Sequence, residues 1–143
     1  MTVGHRTSLS VVAALLLGMA TAVADVDIDP YSAMDLERVL PIETPELESG
    51  RALARPLPTR LPRPLFLIGT DHRSLLWLKA RRDSLRQLNA VGLVVDANSV
   101  TALKRLLAAG DGLLMVPASA SDIARALHLT HYPVLLVDDR AEP

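Results

Sequence analysis

The fold is decided by the apolar run Leu65–Gly69, which reads LFLIG, and by the way similar runs recur after it. Four consecutive apolar residues closed by a glycine are typical of a strand buried on both faces. Comparable runs follow at residues 91–95 (VGLVV) and 113–116 (LLMV) and, after Pro133, at 134–137 (VLLV). These four runs predict the strands of one sheet.

The segment after the first run, residues 71–88, has the spacing of a helix. Trp77, Leu78, Leu85 and Leu88 fall on one side of it, although Arg81 interrupts that stripe. Thr70 or Asp71 is positioned to cap this helix at its N-terminus.

Two further helices are predicted between the later runs. The first is capped within Asn98–Ser99 and ends at Gly110 and Gly112. The second begins at Ser119, where the pattern Ser119-x-x-Asp122 resembles a capping box with Asp in place of Glu.

Strands and helices therefore alternate as β-α-β-α-β-α-β within residues 65–137. This order predicts an α/β domain, assigned to residues 65–143, with a largely parallel or mixed sheet. A small doubly wound, flavodoxin-like sheet is the alternative arrangement.

Residues 25–64 differ in composition, since they hold seven of the ten prolines. Residues 25–48 carry eight acidic side chains against Arg38, whereas residues 49–64 carry four arginines and no acid. Proline blocks helix interiors, so we expect a proline-rich, charge-split extended arm with at most a short helix near Ser32–Val39. Such an arm is either a solvated linker or a docking segment that orders on a partner.

Residues 1–24 are predicted to be a secretory signal peptide. A charge-free stretch runs from Thr7 to Ala24 and ends in the small-x-small pattern Ala22-Val23-Ala24, so cleavage is expected after Ala24. The alternative is an uncleaved anchor, and contact with a membrane is expected only through this segment if it is retained.

Composition excludes several kinds of chemistry. The 143 residues include 15 Lys+Arg and 16 Asp+Glu, a net charge of −1, which gives no reason to expect direct nucleic-acid binding. The chain has no cysteine, so disulfides, cysteine-based zinc sites and thiol catalysis are excluded. No pattern of a nucleophile elbow, a zinc protease or paired carboxylates is present. We therefore expect a protein that is not an enzyme and has no catalytic residues and no cofactor.

The most polar group of residues in the predicted domain is the first strand-to-helix loop, Gly69–Ser74. Ligands of open α/β sheets usually bind beside the carboxyl ends of the strands. Arg73 near the helix N-terminus suits an anion, whereas Asp71 opposes a phosphate. Ordinary helix capping and surface solvation are the preferred explanation of these residues, because Asp and Thr are common N-caps.

His128 and His131 lie three residues apart near the end of the last predicted helix. Two imidazoles need a third ligand to hold a metal, and Asp138 and Asp139 lie on the far side of a strand. We therefore expect a histidine interacting with the helix dipole and a surface histidine, and no metal site.

The stretch that runs from the last helix through His131-Tyr132-Pro133 into an apolar strand resembles the cis-proline half of thioredoxin-like folds. In that comparison, loop 69–74 takes the position of the redox motif and has lost both cysteines. The resemblance implies a small thioredoxin-like domain with a mixed sheet. The chain differs from thioredoxins in having an extra strand–helix pair and in stopping soon after Val137, where they continue with another strand and a helix.

A more specific resemblance covers most of the chain after residue 24. It rests on residues 61–71 (LPRPLFLIGTD), Ser74, Trp77-Leu78, 90–95 (AVGLVV), 113–117, 122–125 and 131–135 (HYPVL), with Tyr31, Pro41 and Gly50 in the arm. These residues resemble an uncharacterised family of exported proteins encoded in the transfer regions of integrating conjugative elements. A weaker similarity extends to thioredoxin-like pilus-assembly proteins of conjugation systems.

This resemblance implies a periplasmic, non-catalytic component that assists the type IV secretion apparatus of conjugative transfer. The expected partners are other proteins of that apparatus, bound through Asp71, His72, Arg73, Tyr132 and Pro133. The alternative function is a small periplasmic binding domain for an anionic ligand at the first strand–helix loop.

Overall fold

The protein is described by a computed structural model over residues 33–143, which form one compact unit. The predicted signal peptide (residues 1–24) and the start of the predicted arm (residues 25–32) lie outside the described residues. No helix of the described part is long and apolar enough to cross a membrane.

The described residues contain four helices and eight strands. In chain order they are α1 (Ala33–Val39), β1 (Glu48–Ser49), β2 (Arg55–Pro56), β3 (Leu65–Gly69), α2 (His72–Gln87), β4 (Val91–Asp96), α3 (Val100–Gly110), β5 (Met115–Pro117), α4 (Ser121–Leu127), β6 (His131–Tyr132), β7 (Val134–Val137) and β8 (Arg140–Glu142).

Six of the strands form one mixed sheet in the order β2-β8-β7-β3-β4-β5. Strands β3, β4 and β5 are parallel, whereas β7, β8 and β2 each run antiparallel to their neighbours. The predicted α/β class with a mixed sheet is confirmed. The flavodoxin-like alternative is wrong, because the antiparallel strand β7 lies directly beside β3 where a doubly wound sheet has a parallel strand.

Both faces of the sheet are covered, which explains the continuous apolar runs. Neighbouring residues on a strand point to opposite faces. Phe66 contacts Trp77 of α2, with ring centroids 6.0 Å apart, and α3 packs beside α2. Leu67 and Val95 belong instead to a buried cluster with Ala124 of α4.

The hydrophobic stripe of α2 differs from the prediction. Its fully buried residues are Ser74, Leu78 and Leu85, and Leu88 lies at the exposed end of the helix. Trp77 is only half-buried, and the guanidinium of Arg81 lies 5.4 Å from the centroid of its ring. The arginine on the apolar stripe is thus explained by a cation–π contact.

The predicted capping box of the last helix is wrong. Helix α4 begins at Ser121 with Ala120 as its N-cap, and alanine has no side-chain oxygen that could cap the helix. Ser119 Oγ accepts a hydrogen bond from the N–H of Ser121 at 3.4 Å. Asp122 instead forms an ion pair with Arg125 at 2.6 Å. The backbone N–H of Ala120 donates to Thr44 Oγ1 at 3.1 Å, so a residue of a distant segment binds the N-cap residue of this helix.

The described part of the predicted arm packs against the domain. Apolar residues spaced about five apart are buried along it, namely Leu36, Ile42, Leu47, Ala52 and Leu57. The segment has little regular structure apart from α1, β1, β2 and a bridge between Ile42 and Ala97. The sequence suggested a boundary at Leu65, whereas the structure has one unit, in which Leu47, Ala52 and Leu57 belong to the buried cluster on the second face of the sheet.

Candidate functional site

The predicted site lies where the parallel strands β3 and β4 end side by side. The backbone N–H of Thr70 donates to the carbonyl oxygen of Asp96 at 3.2 Å and joins the two strand ends. Five side chains meet around this point and are called the polar cluster below. They are Ser49, Asp71, Ser74, Asp96 and Tyr132.

Asp71 is the N-cap of α2, one of the two caps that the sequence allowed. Its carboxylate accepts hydrogen bonds from Ser74 N at 3.3 Å, Ser74 Oγ at 2.6 Å and Ser49 Oγ at 2.6 Å. Partial burial by itself raises the pKa of Asp71, but the hydrogen bonds from Ser49 and Ser74 outweigh it and hold the pKa below its ordinary value. Asp71 is therefore a firmly ionised anchor of the loop.

Tyr132 lies beneath this loop with its side chain buried. Its hydroxyl donates to Asp96 Oδ2 at 3.2 Å. Its ring packs so closely on Gly69 that a Cβ added there would lie 2.4 Å from Tyr132 Cε2, which explains the glycine at the end of β3. Burial, followed by the charges of Asp96 and Asp71, raises the pKa of Tyr132 well above its ordinary value, so the hydroxyl stays protonated as a donor.

The structure brings some of the predicted partner-binding residues together. Asp71 and Tyr132 both lie against Gly69, and Pro133 follows Tyr132 through a cis peptide bond. Tyr132 and Pro133 are buried, however, so they support the loop from below. His72 and Arg73 are exposed on the first turn of α2 and are the members of the set that a partner can reach.

Sequence reasoning missed three participants. Ser49 and Asp96 lie 22 and 25 residues from Asp71, so nothing local indicated that either would join the cluster. Leu76 lies one helical turn beyond His72 and Arg73 and is 53% exposed. The only available signal was its position outside the apolar stripe of α2.

The geometry opposes an anionic ligand at this loop. The N-terminus of α2 already holds the Asp71 carboxylate, and the Asp96 carboxylate lies nearby on Tyr132. A cavity of about 120 Å³ lies between the first turn of α2 and α3, with Arg105 in its lining, but the same lining includes Asp71. A second anion there would meet like charge.

His128 and His131 do not converge. His128 ends α4 in a left-handed conformation (φ 56°) and is exposed, whereas His131 lies in β6 with Nδ1 2.9 Å from Thr130 Oγ1. Within residues 33–143, no group of three or more His, Cys, Asp or Glu side chains is arranged to hold a metal ion. The hydrogen-bonding groups of the polar cluster are engaged with one another, so its geometry is that of a rigid support for an exposed helix turn.

Comparison with known proteins gives one match. The model of a family described as "Protein of unknown function (DUF2859)" matches residues 14–141. Searches of the curated proteins and of the solved structures find no match.

Proposed function

We propose that this chain, which belongs to the DUF2859 family of proteins of unknown function, is a periplasmic, non-catalytic component of an integrating conjugative element that binds another protein of the type IV secretion apparatus. The proposal is supported by the sequence resemblance, which runs through most of the residues that the family model covers. It is also supported by the rigid support that the polar cluster gives to an exposed helix turn.

We further propose that the domain is thioredoxin-like. The supporting observation is that the parallel unit β3-α2-β4 lies beside the antiparallel hairpin β7-β8. Loop 69–74 and Tyr132 are in contact at the junction, which is the juxtaposition that the thioredoxin comparison implies. Asp71 and Ser74 stand in this loop, so the domain would present a binding surface without redox chemistry.

The observation that carries the binding role is the exposed surface of the first two turns of α2. His72, Arg73 and Leu76 are all exposed there, and Leu76 is a large apolar side chain beside a cationic one. Asp71 anchors the start of this helix through bonds to Ser49 and Ser74. A fixed surface of this composition fits a partner that offers an apolar contact beside an acidic side chain.

The proposed role in transfer is tested by mating frequency. An in-frame deletion of the gene in its element should lower conjugative transfer strongly, and the full gene supplied in trans should restore it. Unchanged transfer in the deletion strain would contradict a role in the apparatus. Export is tested in the complemented strain. The periplasmic fraction should contain the protein with the mass calculated for a chain that begins at Asp25.

The binding surface is tested by a triple variant with a matched control. His72→Ala, Arg73→Ala and Leu76→Ala together should lower transfer and partner capture while leaving the thermal unfolding temperature within a few degrees, because these side chains are exposed. The control combines Lys79→Ala and Gln87→Ala, which are exposed farther along the same helix. Equal transfer by the triple variant and the control would show that the partner binds elsewhere.

A further inference from the structure

A second cavity, distinct from the polar cluster, lies between the extended segment 51–55, loop 129–131 and strands β7 and β8. Its volume is about 250 Å³. Four of its lining residues are buried and apolar and form its floor, namely Ala52, Leu129, Val134 and Ala141. This floor comes from segments far apart in the sequence, so it forms only in the folded domain.

The rim of this cavity is basic. Arg51, Arg55 and His131 line it, and no acidic side chain does. Arg55 Nη2 donates to the carbonyl oxygens of Leu127 (2.6 Å) and His128, which fixes its guanidinium at the end of α4. Arg51 is exposed, and within residues 33–143 it has no carboxylate partner. Two acidic residues lie on neighbouring strands outside the lining: Glu48 of β1 is exposed and pairs in register with His131, and Glu142 of β8 follows Ala141.

The segment beside the cavity also offers backbone groups. Residues 51–53 lie between β1 and β2, and among the described residues their N–H and C=O groups have no hydrogen-bonding partner. Leu53 in this segment is 74% exposed. A segment with free backbone groups is able to pair with the backbone of another peptide.

We propose that this cavity binds the carboxyl-terminal end of a partner protein whose last residue is apolar. The volume is below the roughly 300–1,000 Å³ of sites for drug-sized ligands, and it suits one side chain of the size of leucine. The terminal carboxylate would lie against the guanidinium of Arg51, beside Arg55, where charge-assisted hydrogen bonds are available. The preceding peptide unit would pair with residues 51–53.

The proposal is tested with small probes on the full exported protein. N-acetyl-leucine mimics an apolar chain end, N-acetyl-leucinamide removes its charge, and acetate and hexanoate supply a carboxylate without a peptide unit. Backbone amide NMR shifts during titration should locate N-acetyl-leucine at residues 51–55, 129–134 and 140–142, with a dissociation constant on the order of 1 mM. The amide and both simple acids should bind about tenfold more weakly.

A variant and a matched control complete the test. Arg51→Gln should bring the affinity for N-acetyl-leucine down to that for its amide, whereas Lys79→Gln, with the same change of charge at an exposed position of α2, should leave it unchanged. Equal binding of the acid and the amide by the unaltered protein would overturn the proposal, as would shifts outside this cavity or no binding. Tighter binding of hexanoate than of N-acetyl-leucine would show that the cavity binds a free amphiphilic acid and not the end of a protein chain, which would also overturn the proposal.

Discussion

Asp71 joins three parts of the molecule through one carboxylate. It caps α2, it accepts a hydrogen bond from Ser74 in the first turn of that helix, and it accepts another from Ser49 in β1. Ser74 in turn accepts a hydrogen bond from the N–H of Gly69 at 3.0 Å, so the end of β3 is held by the same group of bonds. The exposed turn proposed to bind a partner is therefore positioned by an ionised residue.

The ionisation of Asp71 predicts a dependence of stability on pH. Its pKa in the folded protein lies below the ordinary 3.8, so the unfolded chain takes up the proton more readily. The stability that Asp71 contributes is present above that ordinary value and is lost as the pH falls toward the lowered one. Asp71→Asn should therefore flatten the decrease in unfolding free energy from about pH 5 downward, as measured by urea denaturation.

Other carboxylates contribute to the same decrease, so a control is needed. The pKa of Glu46 is also lowered, first by the hydrogen bond from Ser121 and then by the neighbouring Arg125. Asp83→Asn removes an exposed carboxylate of the helix that Asp71 caps, so it controls for the loss of one acidic group there. If both asparagine variants follow the profile of the unaltered protein, the hydrogen bonds to Asp71 contribute nothing to stability.

At the scale of elements, the irregular segment from residue 40 to residue 57 packs beside α4 on the second face of the sheet. Thr44 is its main polar attachment, since its buried hydroxyl donates to the carbonyl of Val95 at 2.8 Å and accepts from the N–H of Ala120. Leu47 provides an apolar attachment in the cluster that includes Leu67 and Leu127. The segment therefore stabilises the domain by burial and by satisfying backbone groups.

Two leucines of this segment offer a matched comparison. Leu47→Ala removes a side chain that is 6% exposed and should lower the unfolding free energy by about 2–4 kcal/mol. Leu53→Ala makes the same chemical change at a side chain that is 74% exposed, so a change of under about 0.5 kcal/mol is expected. Denaturant unfolding of both variants measures the difference. Equal effects would mean that the segment does not pack as described.

At the scale of the whole molecule, residues 33–143 form one unit, whereas residues 65–143 lack part of its core. The shorter fragment exposes Leu67 and Val95, which pack against the 47–57 segment. We expect the fragment 33–143 to unfold in one cooperative transition and the fragment 65–143 to show none, because a domain of this size has little stability to lose. Circular dichroism during heating distinguishes the two. A cooperative transition of the fragment 65–143 would show that residues 65–143 fold on their own, with the domain boundary at Leu65 that the sequence suggested.

Much of the fold could be predicted from the sequence. The apolar runs at 65–69 and 91–95 became β3 and β4, and the helices between the predicted strands formed with Asp71 and Ser99 as N-caps. These features depend on residues close together in the chain. The candidate site was predicted in part, since the loop was located but Ser49 and Asp96 come from elsewhere in the sequence.

The sequence by itself determined β3, β4, α2 and α3, the absence of cysteine chemistry and the loop at the end of β3, because periodicity, composition and capping are local properties of the chain. Only the tertiary structure decided that Tyr132 is buried beneath that loop and that β7 runs antiparallel to β3. It also decided that Thr44 binds the N-cap residue of α4 and that the proline-rich segment packs on the domain. These outcomes depend on which distant surfaces bury each other, and because apolar burial is non-directional, a short apolar stretch does not specify the surface that covers it.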